Sequence, residues 1–180
     1  MKVNAFLGLM PSLGLIPKFY EFQAMHGLPN LKWIPWYKLH LTLFFWPTLP
    51  FADFIEIYNL IQQSQGHLPQ KAISQIQGFD YFSKASVLYL RESSEEIFKL
   101  QEIIEKKIII NLPTHLQPQK NKSFIPHWTI ARKFTPNSIQ HNRHYFESLD
   151  SFNHNGNLNY LCFFRTLKDR YSPKLVKRFA

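Results

Sequence analysis

The feature that most constrains this chain is a short alternation that occurs twice, KLHLTLFF at 38–45 and IPHWTIAR at 125–132. Alternation of this kind is the period of a strand with one face buried, and residues two apart then project from the same face. His40 and Thr42 therefore stand side by side on one strand, and His127 and Thr129 on another, with Leu41, Trp128 and Ile130 turned the other way. His127 follows His40 by 87 residues (127 − 40), close to half of the 180-residue chain. Each H-x-T segment has a proline shortly before it and a helical stretch after it. The pattern implies an internal duplication, with two similar lobes facing one another.

Periodicity and breakers suggest the remaining elements. The run at 3–10 reads as a buried first strand rather than a secretory leader, because two early prolines and the lack of a small-x-small site argue against cleavage. A short helix at 16–26 starts with Pro17 and is stopped by Gly27 and Pro29. Pro47 and Pro50 are expected to end the first H-x-T strand, and 51–65 then carries Phe51, Phe54, Ile55, Tyr58 and Ile61 at helical spacing. Strands at 72–79 and 85–91 lead to a second long helix at 94–109, with Ser93 or Ser94 as its cap. The stretch 112–123 reads as an exposed loop, 136–149 as a further helix and 158–166 as an apolar strand.

Composition narrows the function class. With 45% hydrophobic residues the chain can bury a real core, and no apolar run approaches the roughly 18 residues of a membrane helix. A lone Cys162 allows no internal disulfide, so the expectation is a soluble, cytoplasmic monomer with no membrane partner. Net charge is +9, and the closing KDRYSPKLVKRFA is distinctly basic, which points to an anionic partner such as nucleic acid, nucleotide or phosphate.

Two imidazoles and two hydroxyls facing one cleft suit one task well, the opening or forming of a phosphodiester without metal. A neutral histidine can take a proton from the attacking water or hydroxyl, while a protonated one delivers a proton to the leaving oxygen. Histidine's ordinary pKa of about 6.5 lets both forms coexist near neutrality. Thr42 and Thr129 can donate to the non-bridging phosphate oxygens, and Arg132 adds a cation that matches phosphate geometry. A single H-x-T on a strand would most simply be a hydrogen-bonded half-buried histidine, but two copies half a chain apart favour function. No Walker-type glycine loop or metal-ligand cluster competes for the phosphate, and no cofactor is called for.

The tetrads HLTL and HWTI, set in KWIPWYKLHLTLFF and FIPHWTIAR, resemble the paired signature of the two-histidine phosphoesterase superfamily, particularly the RNA 2′,3′-cyclic phosphodiesterases also called 2′-5′ RNA ligase-like proteins. The opening strand, the GFDYFSKASVLYLR segment, the long helix and the closing LCFFRTLKDRYSPKLVKRF also fall where that family has similar elements, so nearly the whole chain is covered. The resemblance implies an α+β fold over 1–180 as one two-lobed domain, a pseudo-symmetric duplication with antiparallel sheets lining a central cleft and helices outside. It implies His40 as proton donor and His127 as proton acceptor, with Thr42, Thr129 and Arg132 holding the phosphate. It further implies hydrolysis of a terminal 2′,3′-cyclic phosphate on RNA or a nucleotide to a 2′-phosphate, with neither metal nor ATP, and a joining reaction in some members. The natural substrate stays open among a tRNA fragment, a cyclic mononucleotide, an ADP-ribose cyclic phosphate and a 2′-5′-linked oligonucleotide.

Two departures stand out. After the first tetrad the family commonly has a basic residue, an aromatic and Leu-Gly. Here Phe44 replaces the basic residue and Trp46-Pro47 replace Leu-Gly, which puts a contact to substrate phosphate or RNA in question. Trp128 stands where a smaller apolar residue is usual, and is expected to point away from the cleft and alter packing only. A second reading, a non-catalytic RNA-binding module using the same cleft, is favoured by Phe44 and Trp46 and disfavoured by the two intact H-x-T pairs. His141 and His144 could share a helix face as metal ligands, but no third ligand is evident. Cys162 reads as a small core residue, Trp33, Trp36 and Tyr37 as core or base-stacking aromatics, and Lys120 and Lys122 as phosphate guides or a solvated loop.

Overall fold

The computed structural model describes residues 1–25, 31–119, 123–133, 152–167 and 170–180. The described elements run β1 (Lys2–Leu9), α1 (Leu15–Met25), β2 (Lys32–Trp33), β3 (Leu41–Pro50), α2 (Phe51–Gln63), β4 (Ile73–Phe82), β5 (Val87–Glu92), α3 (Glu95–Lys107), β6 (His127–Arg132), β7 (Asn153–Asn157), β8 (Tyr160–Leu167) and β9 (Arg170–Arg178). All strand pairs among them are antiparallel, in the order β7-β4-β5-β6-β3-β1-β8-β9, with β2 added to β6. The class is α+β, as the alternating strands and amphipathic helices imply.

The sheet is continuous in name but divides at β3 and β6, which share a single paired position, Leu41 opposite Trp128. On one side lie β3, β1, β8 and β9, and on the other β6, β5, β4 and β7. These are the two lobes, each four strands deep from the seam, each with its H-x-T segment at the seam. They do not coincide with the halves of the chain, because β8 and β9 return from the C-terminal end to complete the lobe that β1 begins. Leu41 and Trp128, both fully buried, close the seam from behind. Burying side chains of this size contributes about 1.5–3 kcal/mol each, which offsets the scarcity of backbone pairing there.

Helices cover the outer faces. Phe54, Ile57 and Ile61 of α2 recur on one side, and the Phe54 ring stacks on Phe163 of β8 at 4.7 Å. Ile97, Leu100 and Ile104 of α3 pack against the other lobe. Beside them, Phe19 and Phe22 of α1 meet Trp33 edge-on at 6.3 and 6.1 Å. Trp33 is thus a core contact.

Three local expectations change. Pro47 does not end β3: pairing with β1 jumps from Ala5–Trp46 to Val3–Leu49, so Pro47 and Thr48 oppose Asn4 in a bulge that needs no proline N–H. Thr48 takes φ 59°, and its N–H donates to Asn4 Oδ1 at 3.1 Å. Ser94 stands at the start of α3, but its hydroxyl makes no capping bond; its backbone N–H goes to the Glu92 carboxylate at 3.1 Å. The polar strands β7 and β9 are not evident from apolar alternation, because each is an edge strand of asparagines, lysines or Pro173. The helix expected at 136–149, with His141 and His144, and the loop lysines Lys120 and Lys122 lie outside the described residues.

Candidate active site

The seam register places the two H-x-T pairs. Leu41 opposite Trp128 is the one paired position, with His40 and Thr42 to either side of Leu41 and His127 and Thr129 to either side of Trp128. Residues alternating with Leu41 and Trp128 turn to the face opposite these two buried side chains, and the charges of His127 and Arg132 reach His40. Thr42 and His127 together line a cavity of about 210 Å³ with Leu43, Phe82, Ser123, Phe124 and Ile125.

Both strands then break step in the same way. Pairing of β3 with β1 shifts after Thr42, leaving Leu43 as an extra residue, and pairing of β6 with β5 shifts after Thr129, leaving Ile130 extra. A bulge of this kind reverses which face the next residues present. Leu43 and Phe44 both go to the core, as do Ile130 and Ala131. Phe45 and Arg132 come back to the cleft side. Strict alternation from Thr129 would have buried Arg132; the bulge leaves it exposed, close enough for its charge to act on both imidazoles. Phe44 is core and, with Leu43 and Phe124, lines a larger cavity of about 530 Å³. Trp46 is also buried, its indole N–H donating to the Leu116 carbonyl at 2.7 Å.

A close approach makes the first bulge possible. A Cβ on Gly8 would lie 2.6 Å from the Leu41 carbonyl oxygen, so glycine lets β1 sit tight against the segment carrying His40 and Thr42.

The two imidazoles are held alike. His40 Nδ1 meets the Lys38 carbonyl at 2.6 Å, and His127 Nδ1 meets the Ile125 carbonyl at 2.7 Å, each two residues back. A carbonyl only accepts, so Nδ1 carries the hydrogen and Nε2 is left as the nitrogen available to a ligand. Around them the lobes differ. His40 stacks on Phe6 at 4.4 Å and meets Tyr171 edge-on at 5.2 Å, with Phe164 at 6.0 Å. His127 has Phe82 and Tyr89 edge-on at 5.0 and 5.1 Å. Burial in the aromatic pocket pushes His40 from 6.5 down to about 4, against the opposing pull of the Lys38 carbonyl and with the positive charges of His127 and Arg132 adding to the fall. Burial also lowers His127, again helped by Arg132 and opposed by its carbonyl bond. Burial thus favours the neutral form of both rings in the free protein.

Trp128 turns away from the cleft, as its parity implies, and its indole N–H donates to Glu92 at 3.0 Å. Glu92 is itself buried and also receives the backbone N–H groups of Gln75 and Ser94 at 2.7 and 3.1 Å and the Ser74 hydroxyl. This carboxylate ties β4, β5, β6 and the start of α3 together just behind His127. Sequence reading missed it; the one available signal was a lone acid closing the apolar VLYLRE strand.

The other singled-out residues lie elsewhere. Buried His154 bonds Ser12 at 2.8 Å on the core side of the second lobe, and His67 and His115 are exposed. Cys162 is buried, which pushes its thiol up to about 11. Among the described residues no three His, Cys, Asp or Glu side chains converge as metal ligands, and no helix is long and apolar enough to cross a membrane.

No family model matches the chain, and no curated protein matches it in sequence. The fold, however, has solved counterparts. E. coli LigT complexed with 3′-AMP is similar at 15% identity and a TM-score of 0.71, over 99% of this chain and 98% of that one. TT0787 of Thermus thermophilus is similar at 19% identity and a TM-score of 0.72, over 98% of this chain and 96% of that one. A structure described as a phosphoesterase is similar at 13% identity and a TM-score of 0.69, over 99% and 98%. Over nearly its full length the chain shares the fold of these solved structures.

Proposed function

We propose that this protein opens 2′,3′-cyclic phosphate ends of RNA or nucleotides to 2′-phosphomonoesters, without metal, using His40 as proton donor and His127 as proton acceptor. The observation that carries the reading is the matched pair of imidazoles, each with Nδ1 tied to a carbonyl and Nε2 free for a ligand, on segments that meet at the seam, with Thr42 and His127 lining one cavity. Water attacks the phosphorus as His127 Nε2 takes its proton; the bond from phosphorus to the 3′ oxygen breaks as His40 gives that oxygen a proton. The 2′ ester bond survives. Thr42 and Thr129 donate to the non-bridging oxygens, and Arg132 balances the charge that builds there.

Burial supplies a reason for the order of events. Neutral His127 is ready as a base, whereas His40 is held too far down to keep a proton at pH 7 in the free protein. An arriving phosphate anion raises the proton affinity of a neighbouring imidazole, so His40 is charged as acid only once substrate is bound. A 5′-hydroxyl in place of water would give a 2′-5′ linkage by the same proton transfers, which is the ligase reaction. Solved complexes of E. coli LigT with 3′-AMP, ATP and phosphate support a nucleotide or RNA partner.

The test is incubation of the protein, in EDTA, with a short RNA ending in a 2′,3′-cyclic phosphate, beside His40→Ala and His127→Ala. The expected product is the 2′-phosphate, lost in both variants. Absence of opening by the parent protein, with RNA still bound, would overturn the reading in favour of a binding module.

A further inference from the structure

We infer that the cavity of about 530 Å³ beside the seam is a nucleobase pocket whose acceptor-rich wall selects guanine on the nucleotide that carries the reacting phosphate. The seat of that phosphate rests on the function proposed above; the cavity and its walls do not.

The cavity exists because the seam opens. Beyond the single paired position of β3 and β6, the chain that leads into β6 stays with the second lobe. There the Pro126 carbonyl accepts from the Glu92 N–H at 3.3 Å, and the Phe124 ring meets Phe98 of α3 edge-on at 5.7 Å. Strand β3 stays with β1 instead, and farther along it the Gln119 N–H donates to the Phe45 carbonyl at 3.0 Å. A wedge is left between Leu43 on one side and Ser123 and Phe124 on the other. These three residues wall both the cavity of about 210 Å³ that holds Thr42 and His127 and the cavity of about 530 Å³, so the two spaces lie side by side. Ser123 is small and exposed, and a sugar can cross there from one to the other. The larger volume falls within the range of small-molecule sites, about 300–1,000 Å³.

Its walls set what it takes. Leu43, Phe44 and Phe124 give it an apolar lining that suits the faces of a flat ring, and Gln101, Glu105 and Gln117 give it a polar one. The Gln101 amide donates an N–H to the Glu105 carboxylate at 3.3 Å, and the Gln117 amide donates one to the Leu112 carbonyl at 3.2 Å. A carboxylate and a carbonyl only accept, so both amides are oriented, each with its oxygen as an acceptor that has no partner among the described residues. Glu105 adds a negative charge, and the salt bridges among the described residues join Lys99 to Glu95 and Lys106 to Glu102 without involving it. Such a wall calls for N–H donors and turns phosphate away. Guanine presents its N1–H and 2-amino group side by side, a pair that one carboxylate can accept. Uracil presents one N–H between two carbonyls, and adenine and cytosine each set a ring acceptor next to the amino group. Unpaired RNA bases are read in this manner, stacked on aromatic rings and bonded along one edge.

Calorimetry on the whole protein, in EDTA, tests this with the 2′-phosphates of guanosine, inosine and uridine. Wild type is expected to bind the guanosine form about fivefold more tightly than the uridine form, the low end for a bidentate contact because Glu105 is exposed. Inosine 2′-phosphate, which lacks the 2-amino group, should fall between them. Glu105→Gln should bring the ratio of guanosine to uridine affinity close to one, and so should Gln101→Trp, which fills the cavity. Glu102→Gln, on the same helix but outside the cavity lining, should keep the wild-type ratio. In NMR spectra of the wild type, the backbone amides of Gln101 and Glu105 should shift with guanosine 2′-phosphate and stay in place with inorganic phosphate. Failure to bind any of the three nucleotides, equal affinity for the guanosine form and either of the others, a preference that survives both cavity variants, or unmoved α3 amides would overturn the proposal. The readout is binding, so the two readings fail separately. A protein that prefers guanosine yet opens no cyclic phosphate would sink the hydrolytic reading alone, and one that opens cyclic phosphates without regard to base would sink this one alone.

Discussion

The two seam strands carry the same local device and place it in different surroundings. In each, a histidine ring is tied to the carbonyl two residues back, a threonine follows on the same face, and a bulge then turns two residues inward. Yet Phe6, Phe164 and Tyr171 close over His40, whereas Phe82 and Tyr89 flank His127 beside a cavity shared with Thr42. After the bulge one strand returns the apolar Phe45 to the cleft side and the other returns Arg132. Duplicated geometry supplies two alike imidazoles; burial lowers the proton affinity of both and takes that of His40 to about 4. The asymmetry is therefore read from the walls, not from the motifs.

The sharpest way to break this comparison is to remove each ring in turn. His40→Ala and His127→Ala should each lower the rate by about 10² to 10⁴, the range for losing a general acid or base, in a cyclic-phosphate assay. A difference beyond that range between the two variants would mean that one histidine is dispensable and the pairing is structural. Next comes Gly8→Ala, which brings a methyl to 2.6 Å from the Leu41 carbonyl and must push β1 from the His40 segment. It should cost about 1–3 kcal/mol in urea unfolding and reduce turnover on the order of tenfold to a hundredfold.

The second lobe has its own anchor. Trp128→Phe withdraws one of the four donors to the buried Glu92 carboxylate, and an unmet buried acceptor costs about 1–3 kcal/mol. Urea unfolding should show the loss with turnover falling less than in Gly8→Ala, since β6 also pairs with β5 along most of its length.

The last contrast is in pH dependence. His40 has its folded value lowered to about 4 from 6.5, so below pH 6.5 the unfolded chain takes the proton more readily than the folded one. Its contribution to stability is complete above pH 6.5 and is lost as pH falls toward 4. His127 is lowered by the same causes and works in the same direction. Unfolding midpoints measured from pH 7 to 4 should decline less steeply in His40→Gln than in wild type, with a weaker flattening in His127→Gln. Equal flattening would erase the distinction between the lobes. Turnover should add a second signature: the acid limb of kcat/KM reports the free protein and should lie below the ordinary imidazole range, while kcat, measured with the anion bound, should be bell-shaped and displaced to higher pH.

Much of the fold is legible in the sequence because its signals are local. Strand β1, the H-x-T strand β3, helices α2 and α3 and the apolar β8 follow from periodicity and breakers that any window of the chain displays. Edge strands β7 and β9 do not, since an edge has no second neighbour to bury against and can be written in asparagine, lysine and proline. For the candidate site, His40, Thr42, His127 and Thr129 are readable from two-residue spacing. Arg132 is marked by its chemistry alone, against the alternation that would have turned it inward. Phe6, Phe164, Tyr171, Tyr89 and Glu92 carry no signal marking them as partners of the two histidine strands.

The amino-acid sequence by itself thus determined which side chains share a strand face, because backbone geometry makes that a property of neighbours. Tertiary structure alone decided which distant rings enclose each imidazole and where the bulges fall. Those depend on strand pairing between segments far apart in the chain, and proton affinity responds to what surrounds a group in space, not to what adjoins it in sequence.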